Sequence, residues 1–267
     1  MSENYVPEPI LEVRNLQKWF GGLHALDDIS LSIARGESIG LVGDNGAGKS
    51  TLLKTISGVH EPSSGSIALQ GVTVSLDSPA AARRHGVETV YQDLALIGRF
   101  TIAENFFLGR ELRSFGILRK KHMRTETDDA LARLDVRVPF ANRKVSKMSG
   151  GQRQAVAIAR GAYWGRSLLL LDEPTAALGV RESAEVLRLL GGLKERGLTT
   201  ILVTHNIDHL WSVCDRILVL RRGRLVADVK KSEVTPGEVV GHITGATEAA
   251  ISIDATHLGT HTHRSVS

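Results

Sequence analysis

Gly43-Asp44-Asn45-Gly46-Ala47-Gly48-Lys49-Ser50-Thr51 lies between the apolar stretch Ser38-Ile39-Gly40-Leu41-Val42 and a helical pattern that begins near Lys49. The order strand, glycine-rich turn, helix reads as a cradle for a triphosphate. Gly43, Gly46 and Gly48 can take backbone angles closed to other residues, so successive N–H groups turn inward toward phosphate oxygens, with the positive end of the helix behind them. Asp44, Asn45 and Ala47 complete the turn. Lys49 reaches the β- and γ-phosphates, and Ser50, followed by Thr51, offers its hydroxyl to Mg²⁺. An ordinary glycine-rich turn accounts for the glycines but gives no reason for Lys-Ser at that spacing.

Three further strand ends carry polar residues of the kind such a site needs. Ser167-Leu168-Leu169-Leu170-Leu171-Asp172-Glu173-Pro174-Thr175 is a continuous apolar run, the pattern of a strand buried on both faces of a parallel sheet, with two carboxylates at its tip. Asp172 is placed to hold Mg²⁺ through water and Glu173 to activate the water that attacks the γ-phosphate. Thr199-Thr200-Ile201-Leu202-Val203-Thr204 ends in His205, which can donate to the γ-phosphate; a strand-end histidine is ordinarily structural, and only its company changes that reading. Gly86 to Tyr91 forms another core strand and delivers Gln92.

Ahead of the cradle, Ile10–Leu16 and Ala25–Ile33 alternate as half-buried strands, and Ser66–Leu69 with Val72–Val74 forms a hairpin through Gly71, an antiparallel layer. Between the first two, Trp19-Phe20-Gly21-Gly22 makes a tight turn from which Phe20 can stack on adenine or simply close a strand end. The region from about 93 to 165 is helical: Thr101-Ile102-Ala103-Glu104 has the form of a capping box, and a charged helix is expected over Thr125 to Leu134. Met148-Ser149-Gly150-Gly151-Gln152 precedes a helix at Ala155 to Ala162; such a start can receive an anion, but alone these residues read as a plain cap. Arg216–Leu220 and Arg224–Asp228 close the core as a hairpin.

With 267 residues and 42% hydrophobic content, the chain can bury one large α/β core with an inserted subdomain. A net charge of +4, spread along the sequence, indicates no nucleic-acid partner. The single cysteine, Cys214, excludes an internal disulfide and reads as a core residue. Apolar runs are far short of the ~20 residues of a membrane span, so a cytoplasmic protein is expected, meeting a membrane only through a partner. A polar tail over 247–267 contains His257, His261 and His263, and a disordered tail is the expectation there.

Taken together, these motifs resemble the ATP-binding-cassette (ABC) ATPase family over about residues 10–245. Their order is the family's: aromatic A-loop at Phe20, Walker A at Gly43 to Thr51, Q-loop at Gln92, signature at Ser149-Gly150-Gly151-Gln152, Walker B ending at Asp172-Glu173, and switch histidine at His205. The resemblance implies a P-loop NTPase fold, an α/β core with an antiparallel β subdomain and an inserted helical subdomain, within a nucleotide-binding domain at 5–246. It implies ATP and Mg²⁺ as ligands, with Gln92 both catalytic and on the metal. It further implies a head-to-tail homodimer in which each ATP lies between one Walker A and the other subunit's Ser149–Gln152. Transmembrane permease subunits and an external solute-binding protein would be partners, the ATPase lying on the cytoplasmic face of the membrane.

Glu173-Pro174-Thr175-Ala176-Ala177-Leu178-Gly179-Val180, Phe107-Leu108-Gly109-Arg110-Glu111 and Ile243-Thr244-Gly245-Ala246 are similar to the monosaccharide-importer branch, and the single cassette is like the fructose-type importers. Gly179 stands where the wider family has an aspartate that helps couple the two sites. An importer for amino acids or another small solute is the nearest alternative. A soluble ABC protein acting on ribosomes or DNA would bring a second cassette or a long coiled coil, and a P-loop kinase or GTP switch leaves Gln92, Ser149 and His205 without roles.

Overall fold

The computed structural model describes residues 9–246. The chain opens with the antiparallel pair β1 (Pro9–Phe20) and β2 (Leu23–Ala34), then β3 (Ser38–Val42) runs through the glycine-rich turn into α1 (Lys49–Ile56). β4 (Ser64–Leu69) and β5 (Val72–Val74) return to the first layer, and α2 (Pro79–Arg84) leads to β6 (Val87–Val90). Next come α3 (Ile102–Phe106), the short strands β7 (Arg113–Ser114) and β8 (Ile117–Leu118), α4 (Lys120–Arg133) and α5 (Gly150–Trp164). The core resumes with β9 (Leu168–Asp172), α6 (Val180–Glu195), β10 (Thr199–Val203), α7 (Ile207–Val213), β11 (Arg216–Arg221) and β12 (Arg224–Lys230), and α8 (Pro236–Thr244) follows.

The strands form a four-stranded antiparallel layer, β2-β1-β4-β5, and a six-stranded sheet, β12-β11-β3-β10-β9-β6, antiparallel only at β11-β12. Alternation along β9 explains the sandwich. Leu168 and Leu170 face the cluster that includes Leu11, Val13 and Ile29 of the antiparallel layer. Leu169 and Leu171 face Ile158 of α5, Val186 and Leu190 of α6, and Leu210 of α7. Cys214 is buried in this second cluster, its thiol pushed up to about 12 by burial, as a packing residue rather than a reactive one.

A third cluster, with Ile102, Phe106, Phe107, Met123, Leu131 and Val145, lies in the helical region, and Val156 of α5 belongs to it and to the second. Thr101 makes the expected capping box with Glu104. Two helix starts differ from expectation. α4 begins at Lys120, five residues before Thr125, because buried Met123 joins Thr127, Ala130 and Leu131 at helical spacing and so extends the buried stripe toward the N-terminus. α5 begins at Gly150, so the glycine pair forms its first turn, ahead of the expected start at Ala155. The expected tail and its His257, His261 and His263 lie outside the described residues.

Buried Asn105 fastens α3 to the chain that follows β6. Its Oδ1 accepts from the Ile97 N–H at 2.7 Å, and its Nδ2 donates to the carbonyls of Ile97 and Thr101, each at 3.0 Å. Asn105→Ala leaves the Ile97 N–H without its partner, while the Ile97 and Thr101 carbonyls keep the Phe100 and Asn105 N–H groups; a loss of about 1–3 kcal/mol is expected in denaturant unfolding, with the m-value unchanged.

Candidate functional site

The parallel register assembles the site. Val203 of β10 lies opposite Leu41 of β3 and Asp172 of β9, and Val90 of β6 lies opposite Leu171 of β9. The turn Gly43–Thr51, His205, the Asp172-Glu173 pair and Gln92 therefore leave the sheet at one edge, where open α/β sheets receive ligands.

Within the turn, Gly43, Gly46 and Gly48 have φ of 148°, 81° and 105°. A Cβ on Gly43 would lie 2.1 Å from the Leu220 carbonyl oxygen, so packing as well as conformation demands glycine there. The Gly223 N–H donates to the Ala47 carbonyl at 3.0 Å, and the Gly223 carbonyl accepts from Asp27 N–H at 2.8 Å. The hairpin of β11 and β12 thus braces the turn from behind. No side chain caps α1 at Gly48, which leaves its first N–H groups to an anion. Lys49 Nζ donates to the carbonyls of Gly43 at 2.6 Å and Asp44 at 2.8 Å, and one of its three protons is left for a phosphate oxygen. Burial lowers the Lys49 pKa, against the opposing pull of Glu173, Asp44 and Asp172.

At the acidic tip, Glu173 has φ of 50°, a left-handed conformation held by its N–H donating to the Val203 carbonyl at 2.9 Å. Its Oε1 is 2.9 Å from His205 Nδ1, while Oε2 is buried and has no hydrogen-bond partner among the described residues. The imidazole is 77% exposed and the carboxylate 17%, so the pair faces outward from a dry base. Burial, then the neighbouring Glu173, raises the Asp172 pKa; Lys54 and Lys49 oppose this. The Ser50 hydroxyl and the Asp172 carboxylate are hard oxygen donors, and the partnerless Glu173 oxygen lies at the same edge. That set suits Mg²⁺, which keeps waters and takes phosphate oxygens in place of an all-protein cage. Among the described residues, no group of three or more His, Cys, Asp or Glu side chains could make such a cage.

Sequence reasoning missed two residues that steady this edge. His209 places Nδ1 3.0 Å from Thr175 Oγ1 and donates its N–H to Asn206 Oδ1 at 3.1 Å, tying the chain after Glu173 to the start of α7. The only signal was its place four residues after His205. Arg160 of α5 donates to the carbonyls of Ala95 at 3.2 Å and Leu94 at 3.3 Å, just past Gln92.

Phe20 ends β1 at 43% exposure, edge-on to His60 with ring centroids 5.1 Å apart and with Lys18 Nζ 5.2 Å from its ring. Gln92 is exposed in a bend after β6. Ser149 and Gln152 form a reciprocal capping box at the start of α5, with Gly150 and Gly151 in its first turn. Among the described residues, Ser149–Gln152 make no hydrogen bond or ion pair with the cradle or the acidic tip. The site residues therefore fall into three groups, one on the edge of the six-stranded sheet, Phe20 at the end of β1 in the antiparallel layer, and one on the helical region.

The profile described as "ABC transporter" matches residues 26–176, more than half of the chain. The chain belongs to the ABC transporter family. It is 47% identical over 235 residues to the xylose/arabinose import ATP-binding protein XylG of Sulfolobus acidocaldarius, covering 88% of this chain and 94% of that one. It is 43% identical over 249 residues to the fructose import ATP-binding protein FrcA of Rhizobium meliloti, covering 90% and 96%. The ATP-binding cassette MJ0796, solved as a dimer in a post-hydrolysis state with ADP and Pi, superposes with a TM-score of 0.70 at 28% identity, covering 83% of this chain and 98% of that chain. The ABC fold expected from the motifs is the fold observed.

The raised Asp172 pKa has a defined consequence for stability. Because the folded protein holds this proton more tightly than the unfolded chain, stability falls as pH rises from the ordinary aspartate range through the raised value. Asp172→Asn removes that term, so its melting temperature should gain on the parent across that window, while ATPase activity falls. Thermal unfolding between pH 3 and 7 and phosphate release measure the two effects.

Proposed function

We propose that this ABC protein is the ATP-hydrolysing subunit of a monosaccharide importer. The carrying observation is the cluster of Lys49, Asp172, Glu173 and His205 at neighbouring strand ends, joined by the 2.9 Å Glu173–His205 contact and by the mutual charge effects of Lys49 and the two acids. In this reading Phe20 supports the adenine, and the N–H groups of Gly43–Thr51 and the Lys49 ammonium hold the phosphates. Ser50, Asp172 and Gln92 hold Mg²⁺, which supplies neutralisation of phosphate charge when bound. Glu173 takes a proton from water as its oxygen attacks the γ-phosphorus, the bond to the bridging oxygen breaks, and ADP and phosphate leave. His205 orients the Glu173 carboxylate and donates toward the γ-phosphate oxygens.

Separation of Ser149–Gln152 from the cradle supports a head-to-tail dimer, in which the capped start of α5 on one subunit closes over the nucleotide of the other. ATP closes the pair and hydrolysis reopens it. Gly179, whose N–H donates to Glu182 Oε2 at 3.1 Å, offers no carboxylate for communication across that interface. No helix among the described residues is long and apolar enough to cross a membrane, so permease subunits supply the path. The names of XylG and FrcA support a monosaccharide as cargo, delivered by a solute-binding protein, with the ATPase on the cytoplasmic face. The nucleotide-binding domain spans 5–246, and nucleic acid has no part.

Glu173→Gln should lower kcat by about 10²–10⁴ while ATP binding, read by fluorescent-nucleotide titration, is kept. A return to near-parental turnover would remove Glu173 from the role of base. Mixing Ser149→Arg with Lys49→Ala subunits should restore about one working composite site per mixed dimer, and no rescue would count against the head-to-tail arrangement. Cargo class is tested by purifying the complex from solubilised membranes. Recovery of a multispanning permease, with turnover stimulated by a sugar-loaded binding protein, supports the importer; ribosomal or DNA-associated proteins alone would overturn it.

A further inference from the structure

The hairpin of β7 and β8 has no role in the site described above. Residues 113–122 are exposed without interruption, with Phe115 fully so and Ile117 at 73%. Arg113 pairs with Leu118 and Ser114 with Ile117, so the turn is Phe115-Gly116, with φ of 49° and 80°. A two-residue turn with both residues left-handed suits asparagine or glycine at its first position. A phenylalanine there is strained, and since its ring is fully exposed no interior packing offsets the strain. Two strands of two residues bury nothing of their own, so folding alone gives no reason for an aromatic and two aliphatic side chains on this projection.

The charge around the projection is one-sided. Arg113, Arg119, Lys120, Lys121 and Arg124 fall within twelve residues that contain no Asp or Glu. Nearby acids offset only part of this: Glu111 lies 3.8 Å from Arg113, Glu126 lies 3.9 Å from His122, and Glu104 feels Lys120 and Arg124. Among the described residues, no ion pair holds Arg119, Lys120, Lys121 or Arg124. Leu118, Arg119, Lys120, Lys121, His122 and Thr125 line an open concavity of about 570 Å³. An apolar tip beside a basic rim fits the boundary of a bilayer, where rings and aliphatic side chains enter the acyl edge and cations stay among headgroup phosphates. Nucleic acid would engage the cations but leave Ile117 and Leu118 in water.

We propose that the β7–β8 hairpin and the start of α4 form a docking surface for an anionic lipid bilayer, with Phe115 and Ile117 inserting and Lys120 and Lys121 binding phosphate headgroups. It requires neither transport nor ATP turnover, so its test is separate from that of the importer reading. The full chain, without any permease, is sedimented with phosphatidylglycerol/phosphatidylcholine vesicles and with phosphatidylcholine vesicles alone. Binding to the anionic vesicles only is expected, weakened by salt.

Two double variants separate the contributions. Lys120→Glu with Lys121→Glu should lower anionic-vesicle binding by about tenfold or more. Phe115→Asn with Ile117→Ser should lower it comparably. Phe115→Asn alone should weaken anionic-vesicle binding yet leave basal ATPase activity unchanged and raise the melting temperature, because asparagine accepts the left-handed turn. That opposite movement of stability and binding is not expected of a merely structural loop. Absence of anionic-vesicle binding, equal binding to neutral vesicles, or parental binding by the Phe115→Asn/Ile117→Ser variant would each overturn the proposal.

Discussion

The site depends on the parallel hydrogen-bonding register of β10 between β3 and β9. Burial of both sheet faces fixes that register, since a slip of one residue along β9 would carry Leu168 and Leu170 to the helix side and Leu169 and Leu171 to the antiparallel layer. The same slip would move the strand tip by about 3.3 Å. A contact of 2.9 Å between Glu173 and His205 does not survive such a shift. Apolar packing far from the reacting groups therefore sets their separation, and the tie from Glu173 N–H to the Val203 carbonyl finishes the alignment where β9 ends.

What the register brings together is electrostatically uneasy. Burial pushes Lys49 toward its neutral form and Asp172 toward its protonated form, and in each case outweighs the attraction between opposite charges. Glu173 adds to the strain with a left-handed backbone and a buried oxygen that lacks a partner. Groups held this way are poised for ligands that bring both charge and donors, as a phosphate with its cation does. Stability forgone at the edge is drawn from the apolar clusters on either side of the sheet.

Which parts were legible in the sequence follows from where the information is local. The run Leu168–Leu171, the alternation in β2 and the glycines of the cradle each state their environment within a few residues, and they placed the sheet edge and its polar tips correctly. The expected start of α4 at Thr125 missed Met123 because one apolar residue among Lys, His and Arg gives almost no periodic signal. β7 and β8 are two residues each, too short for alternation to register. His209 and Arg160 act through partners 34 and at least 65 positions away, which only the folded chain makes visible. The separation of Ser149–Gln152 from the cradle was legible only as what the family resemblance implied; the residues by themselves suited a cap, and within one subunit a cap is what they form.

That capped helix also has a mechanical connection to the sheet edge. α5 begins at the Ser149 cap and carries Arg160, whose guanidinium reaches the Leu94 and Ala95 carbonyls just past Gln92. Burial lowers the Arg160 pKa, opposed by Glu88 and assisted by Arg110, and these carbonyls replace part of the guanidinium's hydration. Asn105 grips the same segment from α3 through Ile97. Moving α5 relative to the sheet without moving residues 94–95 would break the two Arg160 contacts to the Leu94 and Ala95 carbonyls. Displacing α5 together with that segment avoids the loss, because the bend at Gln92 lies in exposed chain. The Arg160 contacts therefore couple the position of α5 to that of the segment just past Gln92.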